Sequence, residues 1–366
     1  MKLSRRSTLT ALGGALAMPY VRPSWAQAAT LNIYNWADYI GETTIADFES
    51  ETGIGVVYDL YSSAEEMEAK MLAGSTGYDL VLVAGITLPQ FITAGIIQRL
   101  DRTRLTNWGN LDPEMLKIFN GYDAGNAHAL PYMWGSVGFT FNLDLVKERI
   151  PDADFESLDL LLKPENAAKL ADCGISILDS PTDIGFTVLS YLGLEPNTAG
   201  PAEYRKMAEA FAPIRQYIQT FDNQNYLNAI PNGELRMINN WSGDYSVAKA
   251  RAAEAGVEMN LAYFVPKTGA PLWFDGFCLT QDAANSDSAY LFLDYLLRPE
   301  VIAAATNYTG YANSNSAASP IVDPSITGDP AIYPDTETRK RLYTTKPQTE
   351  DQNREITRIW AEIKAG

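Results

Sequence analysis

Three short clusters in this chain place a large aromatic side chain within three residues of an aspartate. They are Trp241-Ser242-Gly243-Asp244, Trp36-Ala37-Asp38-Tyr39 and Trp273-Phe274-Asp275. Each cluster follows a run of residues that predicts a β-strand. Aromatic faces combined with carboxylates favour an organic cation that has a hydrocarbon body. The three clusters therefore predict a binding site for such a cation.

Asp244 also has a simpler interpretation. Residues 235–238 predict a buried strand and residues 247–255 predict a helix, so Asp244 lies at a strand-to-helix turn where Gly243 allows the backbone to bend. An aspartate at such a turn often caps the first turn of the helix. Taken alone, the residue leaves both interpretations open, and the repetition of the pattern favours the binding site.

The first 28 residues predict an export signal. Lys2, Arg5 and Arg6 precede a mildly apolar run at 9–18, and Ala26-Gln27-Ala28 matches a cleavage site. The paired arginines are typical of a twin-arginine signal. The apolar run is too short to span a membrane. We therefore expect a mature protein that starts near Ala29 outside the cytoplasm, with a retained N-terminal anchor as the alternative.

Length and charge narrow the class of protein. About 338 residues follow the signal, which suits two domains or lobes. The formal charge is −17 and becomes −21 without the four cationic residues of the signal, which argues against binding to nucleic acid or to an anionic membrane surface. High negative charge also serves plain solubility. One histidine, His128, excludes a His-rich metal site, and we expect neither a metal nor a cofactor.

The predicted elements alternate between strand and helix in the first hundred residues of the mature chain. Such alternation with short connections predicts an α/β fold with a doubly wound sheet, in which ligands bind beyond the carboxyl ends of the strands. Trp36 with Asp38, and the Ala84-Gly85 turn, lie at such ends. Ser63 and Glu66 predict a capping box at the start of a helix.

Signals for catalysis are weak. The serines of Gly74-Ser75-Thr76-Gly77 and Gly135-Ser136-Val137-Gly138 lack the spacing of a nucleophile elbow, and no phosphate-binding or dinucleotide-binding glycine pattern occurs. We therefore expect a protein that is not an enzyme. Two carboxylates across a tryptophan-lined cleft would also suit a glycosidase or a carbohydrate-binding protein. That is the alternative from another class.

From Leu31 to the C-terminus the chain resembles the periplasmic polyamine-binding proteins of ABC importers, most of all the putrescine-binding branch. The matching segments are 33–40, 72–80, 110–114, 130–134, 162–166, 241–244, 274–275 and 310–313. The resemblance implies a type II periplasmic-binding fold with two α/β lobes, each a mixed sheet flanked by helices. The lobes close on hinge strands over a ligand in the cleft between them. A monomer that delivers its ligand to an ABC permease is expected, with peripheral contact to the membrane complex only.

The resemblance also implies lobe boundaries and site residues. The first lobe takes 30–135 and 252–309, and the second takes 136–251 and 310–366. In the family, aromatic side chains surround the methylene chain of the polyamine ligand. The side chains that match them here are Trp36, Tyr39, Trp241, Trp273, Phe274 and Tyr311. Asp38, Asp244 and Asp275 match the acids that bind the ligand's ammonium groups in the family. Asp183 lies where relatives carry a glutamate, and Ala84 also lines the site.

Several positions depart from the putrescine-binding pattern. Ala37, Ala84 and Ile86 replace serines, and Thr182 with Asp183 replaces a pair of glutamates. These changes predict a more apolar and slightly roomier site, which binds putrescine weakly and favours a longer polyamine, agmatine or another cationic amine.

The cysteines depart from the pattern as well. Cys173 matches a family cysteine whose partner position is Arg236 here, so we expect Cys173 and Cys278 to be free thiols. A bridge between them would pin the hinge.

Overall fold

The computed structural model describes residues 30–230 and 232–366, so the expected signal peptide at 1–28 lies outside the described residues. Eleven strands occur in this part of the chain. Their bounds are β1 Thr30–Trp36, β2 Gly55–Tyr61, β3 Leu80–Ala84, β4 Ala129–Asn142, β5 Ile175–Ile177, β6 Thr220–Phe221, β7 Met237–Trp241, β8 Leu261–Phe264, β9 Ala270–Leu279, β10 Ala312–Asn313 and β11 Leu342–Thr344.

The α-helices flank these strands. Their bounds are α1 Thr44–Thr52, α2 Ala64–Leu72, α3 Leu88–Ala94, α4 Pro113–Phe119, α5 Leu143–Arg149, α6 Asp159–Leu162, α7 Pro164–Leu170, α8 Ile184–Tyr191, α9 Pro201–Phe211, α10 Tyr226–Ala229, α11 Ser242–Glu254, α12 Ser286–Leu296, α13 Pro299–Thr309, α14 Pro324–Thr327, α15 Thr336–Arg339 and α16 Glu350–Ala365.

Strand β4 is shared by two sheets. The first sheet has the order β2-β1-β3-β9-β4, with β1, β2 and β3 parallel and β9 antiparallel to both β3 and β4. The second sheet has the order β4-β7-β5-β6, with β5, β6 and β7 parallel. Pairing of β4 with β9 ends at Ser136, and its pairing with β7 begins at Val137. The chain therefore passes from one sheet to the other in the middle of a continuous strand.

Three further strands pair with β4 or β9 near this point. β8 pairs with the second half of β4, whereas β10 pairs with its first half and β11 pairs with β9. The expected division places β8 in the first lobe and both β10 and β11 in the second. By pairing, β8 extends the second sheet, whereas β10 and β11 pair within the first sheet. The division of the chain into lobes stays a prediction.

Most predicted elements are present, with local differences at their ends. Ser63 accepts a hydrogen bond from the Glu66 amide as an N-cap, but the Glu66 carboxylate accepts from the Ser62 amide (3.0 Å) rather than from that of Ser63. The capping box is therefore only half formed. Helix α9 buries Tyr204, Met207 and Phe211 on one face, and α16 buries Ile356, Ile359, Trp360 and Ile363.

The structure describes the side chain of Cys278 but not that of Cys173. Cys278 is a buried free thiol in β9, and burial holds the pKa of its thiol well above the ordinary value. The side chain of Cys173 is outside what the structure describes, so the free thiol at that position stays a prediction.

Asp79 fixes the strands that carry the first half of the site. It is fully buried and directly precedes β3. Its carboxylate accepts from the amide and side-chain nitrogens of Asn32 in β1 (2.9 and 3.2 Å), and from the amide of Asn285 before α12 (2.8 Å). Because β1 ends at Trp36 and β3 ends at Ala84, this carboxylate sets the relative position of two predicted site residues.

We predict that Asp79→Ala lowers the free energy of unfolding by roughly 2–4 kcal/mol, because it leaves several partly buried N–H donors without their acceptor. Urea unfolding of the mature protein measures the loss. Asp282→Ala, at an exposed aspartate nearby, is the control and should change stability little. Equal losses in the two variants would contradict the role of Asp79.

Candidate ligand-binding site

The second sheet delivers polar side chains to one edge. Its parallel strands β5, β6 and β7 all end at this edge, as the doubly wound arrangement requires. Asp183 follows β5, Tyr226 follows β6, and Asp244 follows β7 in the first turn of α11. Three neighbouring strands thus bring together two carboxylates and a phenol that are far apart in the sequence.

Asp244 is held by two tyrosines. Its side chain is buried (8 % exposed), Tyr311 Oη donates to Oδ1 at 2.5 Å, and Tyr226 Oη donates to Oδ2. The carboxylate makes no capping hydrogen bond to α11, so the interpretation of Asp244 as a helix cap is wrong. Burial raises the pKa of the Asp244 carboxyl to about 6, although the two phenol donors act in the opposite direction.

Asp275 lies opposite, in the first sheet. In the pairing of β3 with β9 it is the register partner of Ala84, and it is equally buried (8 % exposed). Burial raises the pKa of its carboxyl to about 7; the nearby Tyr39 hydroxyl lowers it, and the charge of Asp183 raises it further. The Tyr39 hydroxyl is close enough to interact with the carboxyl but is not aligned for a standard hydrogen bond.

Asp183 follows β5 of the second sheet and lies within electrostatic reach of Asp275 in the first sheet. It precedes α8 without a capping bond of its own side chain and accepts a hydrogen bond from Trp241 Nε1 at 3.1 Å. Burial raises the pKa of its carboxyl to about 6, while Ser180 and Trp241 lower it. Since Asp183 acts electrostatically on Asp275, the carboxylates of the two sheets are close enough to repel each other when both are charged.

Aromatic rings fill the space between these acids. Tyr311 packs edge-on against Tyr39 (ring centroids 5.4 Å apart) and against Trp273 (5.3 Å). Trp36 packs against Tyr61 at 4.4 Å. Trp36, Trp241 and Trp273 are partly exposed, whereas the three tyrosines are buried. The site therefore has apolar walls and carboxylates at their edges.

Two glycines make room for the rings. A Cβ atom on Gly243 would lie 2.4 Å from the ring of Tyr311, and one on Gly135 would lie 2.5 Å from the ring of Trp273. Both distances are far below van der Waals contact. A glycine is required at each position because the rings lie directly on the backbone.

Two predicted site residues differ from the rest in their burial or packing. Phe274 points away from the cleft, is fully buried, and packs against Phe119 (5.8 Å) and Trp134 (6.3 Å). Asp38 is exposed and has a left-handed backbone conformation (φ +54°). Predicted members that do converge are Trp36, Tyr39, Ala84, Asp183, Trp241, Asp244, Trp273, Asp275 and Tyr311.

Sequence patterns did not indicate Tyr226, Tyr61 or the close approach at Gly135. Tyr226 follows a strand of only two residues and begins a helix of only four, so no periodic pattern marked either element. Tyr61 is the last residue of β2, and its position at the carboxyl end of a strand is the signal that could have identified it as a site residue.

The charges of this site suit a cation. Among the described residues, Asp183, Asp244 and Asp275 form no salt bridge with lysine or arginine, and Arg251 acts on Asp244 only through space. In residues 30–230 and 232–366, no group of three or more His, Cys, Asp or Glu side chains is arranged to hold a metal. The arrangement can bind a guest that carries positive charge on an apolar body.

Comparison with known proteins identifies the family. Residues 43–334 match the family described as bacterial extracellular solute-binding protein. The match covers more than half of the chain, so the chain belongs to this family.

Similar proteins have related names. The putrescine-binding periplasmic protein PotF of Escherichia coli is 43% identical over 357 residues, covering 97% of this chain and 96% of that protein. A putrescine/agmatine-binding protein of Pseudomonas aeruginosa is 37% identical, covering 98% and 97%. The crystal structure of the spermidine/putrescine ABC transporter substrate-binding protein PotD of Streptococcus pneumoniae has a TM-score of 0.78 at 26% identity, covering 92% of this chain and 99% of that one.

These comparisons confirm several predictions. The α/β fold with two lobes is that of the periplasmic binding proteins, and the chain is a solute-binding protein rather than an enzyme. The carbohydrate-binding or glycosidase alternative gains no support. In the part of the chain that the structure describes, none of the helices is long and apolar enough to cross a membrane.

We predict that Gly243→Ala destabilises the protein by about 1–3 kcal/mol, because the new methyl group displaces the Tyr311 ring. Helix propensity alone predicts the opposite sign in α11. Urea unfolding measures the change, and Gly109→Ala, where a Cβ meets open space, is the control. In a Tyr311→Ala background the penalty should disappear, and a penalty that persists there would rule out the contact as its cause.

We predict that Asp275→Asn becomes more stable relative to the unsubstituted protein as pH rises. The pKa of the Asp275 carboxyl is about 7 in the folded chain and about 4 when unfolded, so its stabilising contribution is complete below pH 4 and is lost through pH 7. Between pH 5 and pH 8 the difference should grow by about 2–3 kcal/mol. Urea unfolding without ligand measures it, and a difference independent of pH would contradict the burial of a titrating carboxyl.

Proposed function

We propose that this chain captures a small aliphatic amine with two or more ammonium groups and delivers it to an ABC permease. The amine belongs to the class of putrescine, agmatine and spermidine. It binds in the cleft between the two sheets, with the rings along its hydrocarbon and the acids at its ammonium groups.

The observation that carries this proposal is the set of three acids that lack a basic partner: Asp244 and Asp275, which are buried, and Asp183, which is half-buried. Burying a carboxylate without a counter-charge is costly, and in the ligand-free chain the cost is seen as raised pKa values for all three. A cation with two ammonium groups compensates acids from both sheets at once. A neutral sugar would leave these charges uncompensated.

The distribution of the acids indicates a long guest. Asp244 and Asp183 belong to the second sheet and Asp275 to the first, so the charges of the ligand must be separated by a linker. Methylene groups meet the faces of Trp36, Trp241 and Trp273, which cover apolar surface and also attract the cation. Relatives of known name bind putrescine or agmatine. Ala37, Ala84 and Ile86 lack a hydroxyl, so a longer or more apolar amine should bind this chain at least as well as putrescine.

The cellular location, the oligomeric state and the division into lobes are inferred from the relatives. We infer a periplasmic location, reached through the twin-arginine signal at 1–28, and action as a monomer. The lobes would divide at 30–135 with 252–309 and at 136–251 with 310–366. Closure over the ligand then presents a defined surface to the permease, since residues of both lobes meet only in the closed state.

The test is a thermal-shift panel on the mature protein with putrescine, cadaverine, agmatine, spermidine, spermine, neutral sugars and amino acids. A ligand present at 100 times its Kd adds roughly 2.7 kcal/mol of stability, which a melting curve detects. Shifts with amines and none with sugars are expected. Shifts with sugars alone would overturn the proposal.

The variant Asp244→Asn tests whether the carboxylate of the site binds the amine. Loss of one partner from a buried charge pair should weaken binding of the best amine by about 2–5 kcal/mol in calorimetry. Asp282→Asn removes an exposed acid from the same strongly anionic protein and is the control for net charge. Similar losses in both variants would show that overall charge, rather than the site, attracts the amine.

A further inference from the structure

Tyr226 is a fully buried phenol whose hydroxyl donates to Oδ2 of Asp244. Tyr311 donates to the other oxygen, Oδ1, at 2.5 Å. The carboxylate is therefore fixed from two directions. A carboxylate has about four lone-pair positions, so two remain for an ammonium group.

The two tyrosines come from different parts of the fold. Tyr226 follows β6 and Asp244 follows β7, and both strands belong to the second sheet. Tyr311 precedes β10, which pairs with the first half of β4, and its ring belongs to the apolar core around Tyr39 and Tyr132. Tyr226, Asp244 and Tyr311 all fall within the proposed second lobe, 136–251 with 310–366, so both bonds lie within that lobe.

We propose that Tyr226 is a positioning residue that orients and charges the Asp244 carboxylate for an ammonium group before the cleft closes. This inference rests on the proposed function, because it names what prepares the same site for its ligand.

The backbone around Tyr226 is itself anchored. Asp222 follows β6, and its amide donates to Ile177 O of β5 at 2.9 Å. The carboxylate of Asp222 accepts from the Tyr226 amide (3.0 Å) and from Asn225 Nδ2 (3.0 Å). A short helix tied in this way to the neighbouring strand holds the phenol at a fixed distance from the end of β7. Rigid support of this kind is what a preorganised binding group requires.

Electrostatics support the role. Burial and the charge of Asp244 hold the pKa of Tyr226 well above its ordinary value, so the phenol stays protonated and remains a donor. A donor to an ionised carboxylate favours the charged form, and Tyr226 accordingly lowers the pKa of Asp244 against the effect of burial. The other groups that act on Asp244 are Tyr311 and Arg251, which also lower its pKa. Tyr263 lies within electrostatic reach of Asp244 as well.

A purely structural role makes a different prediction. The Tyr226 ring packs in the core that also contains Ile230, Leu235 and Ile238. Phenylalanine keeps that packing and loses only the hydroxyl. If the ring alone matters, Tyr226→Phe should bind and titrate like the unsubstituted protein.

The experiment compares Tyr226→Phe with Tyr245→Phe. Tyr245 is a buried tyrosine of α11 whose hydroxyl faces Leu261 O and Lys249 rather than Asp244, so it is the matched control. Calorimetry with putrescine at pH 6, 7 and 8 should show affinity reduced about tenfold or more for Tyr226→Phe at pH 8, and unchanged for Tyr245→Phe. Because removal of the donor favours the protonated carboxyl, the loss should be larger at pH 6 than at pH 8.

A second readout does not depend on the ligand. Carboxyl-carbon NMR of the ligand-free protein, with the Asp244 signal assigned from Asp244→Asn, should show the Asp244 titration at higher pH in Tyr226→Phe. An unchanged titration together with unchanged affinity would overturn the role of Tyr226 and leave the proposed function intact. Absence of amine binding by the unsubstituted protein would instead overturn the proposed function, and the titration would still decide whether Tyr226 sets the charge of Asp244.

Discussion

Burial of carboxylates without a basic partner is the constraint on which the site depends. Asp244 and Asp275 are each covered by protein on all but a small part of their surface, and Asp183 acts on Asp275 through space. Charging all three in a closed cleft costs free energy, which the chain avoids by binding protons or a guest cation. Closure and ligand binding are therefore coupled through charge. The aromatic walls add affinity for the hydrocarbon, but they do not create this requirement.

Strand topology explains how one chain assembles such a site. Parallel strands of both sheets end toward the cleft, and β4 passes from one sheet to the other without interruption. Side chains from the ends of β1, β3, β5, β6 and β7 can therefore meet although they are far apart in sequence. The glycines at 135 and 243 then allow Trp273 and Tyr311 to lie against the backbone.

Much of this was predictable from the sequence, and the exceptions have physical causes. Aromatic–aspartate clusters after strands located most of the site, because strand ends and ligands coincide in α/β folds. Phe274 was grouped with its neighbours, although the period of two along β9 places Trp273 and Asp275 on one face and Phe274 on the other. Tyr226 gave no signal, since its strand and helix are too short to show periodicity. Asp38 has a left-handed backbone conformation (φ +54°), which aspartate adopts more readily than most residues and which no strand or helix periodicity marks.

The most direct test of the account is a calorimetric comparison of three molecules of equal chain length: putrescine, 1-aminobutane and 1,4-butanediol. All three offer a four-carbon chain to the aromatic walls and carry two, one and no ammonium groups, respectively. If acids from both sheets each require a counter-charge, the dication should bind at least about a hundredfold more tightly than the monoamine, because one buried carboxylate would otherwise stay unpaired. The diol should not bind measurably. Equal affinities for the diamine and the monoamine would contradict the account, since a single carboxylate would then suffice.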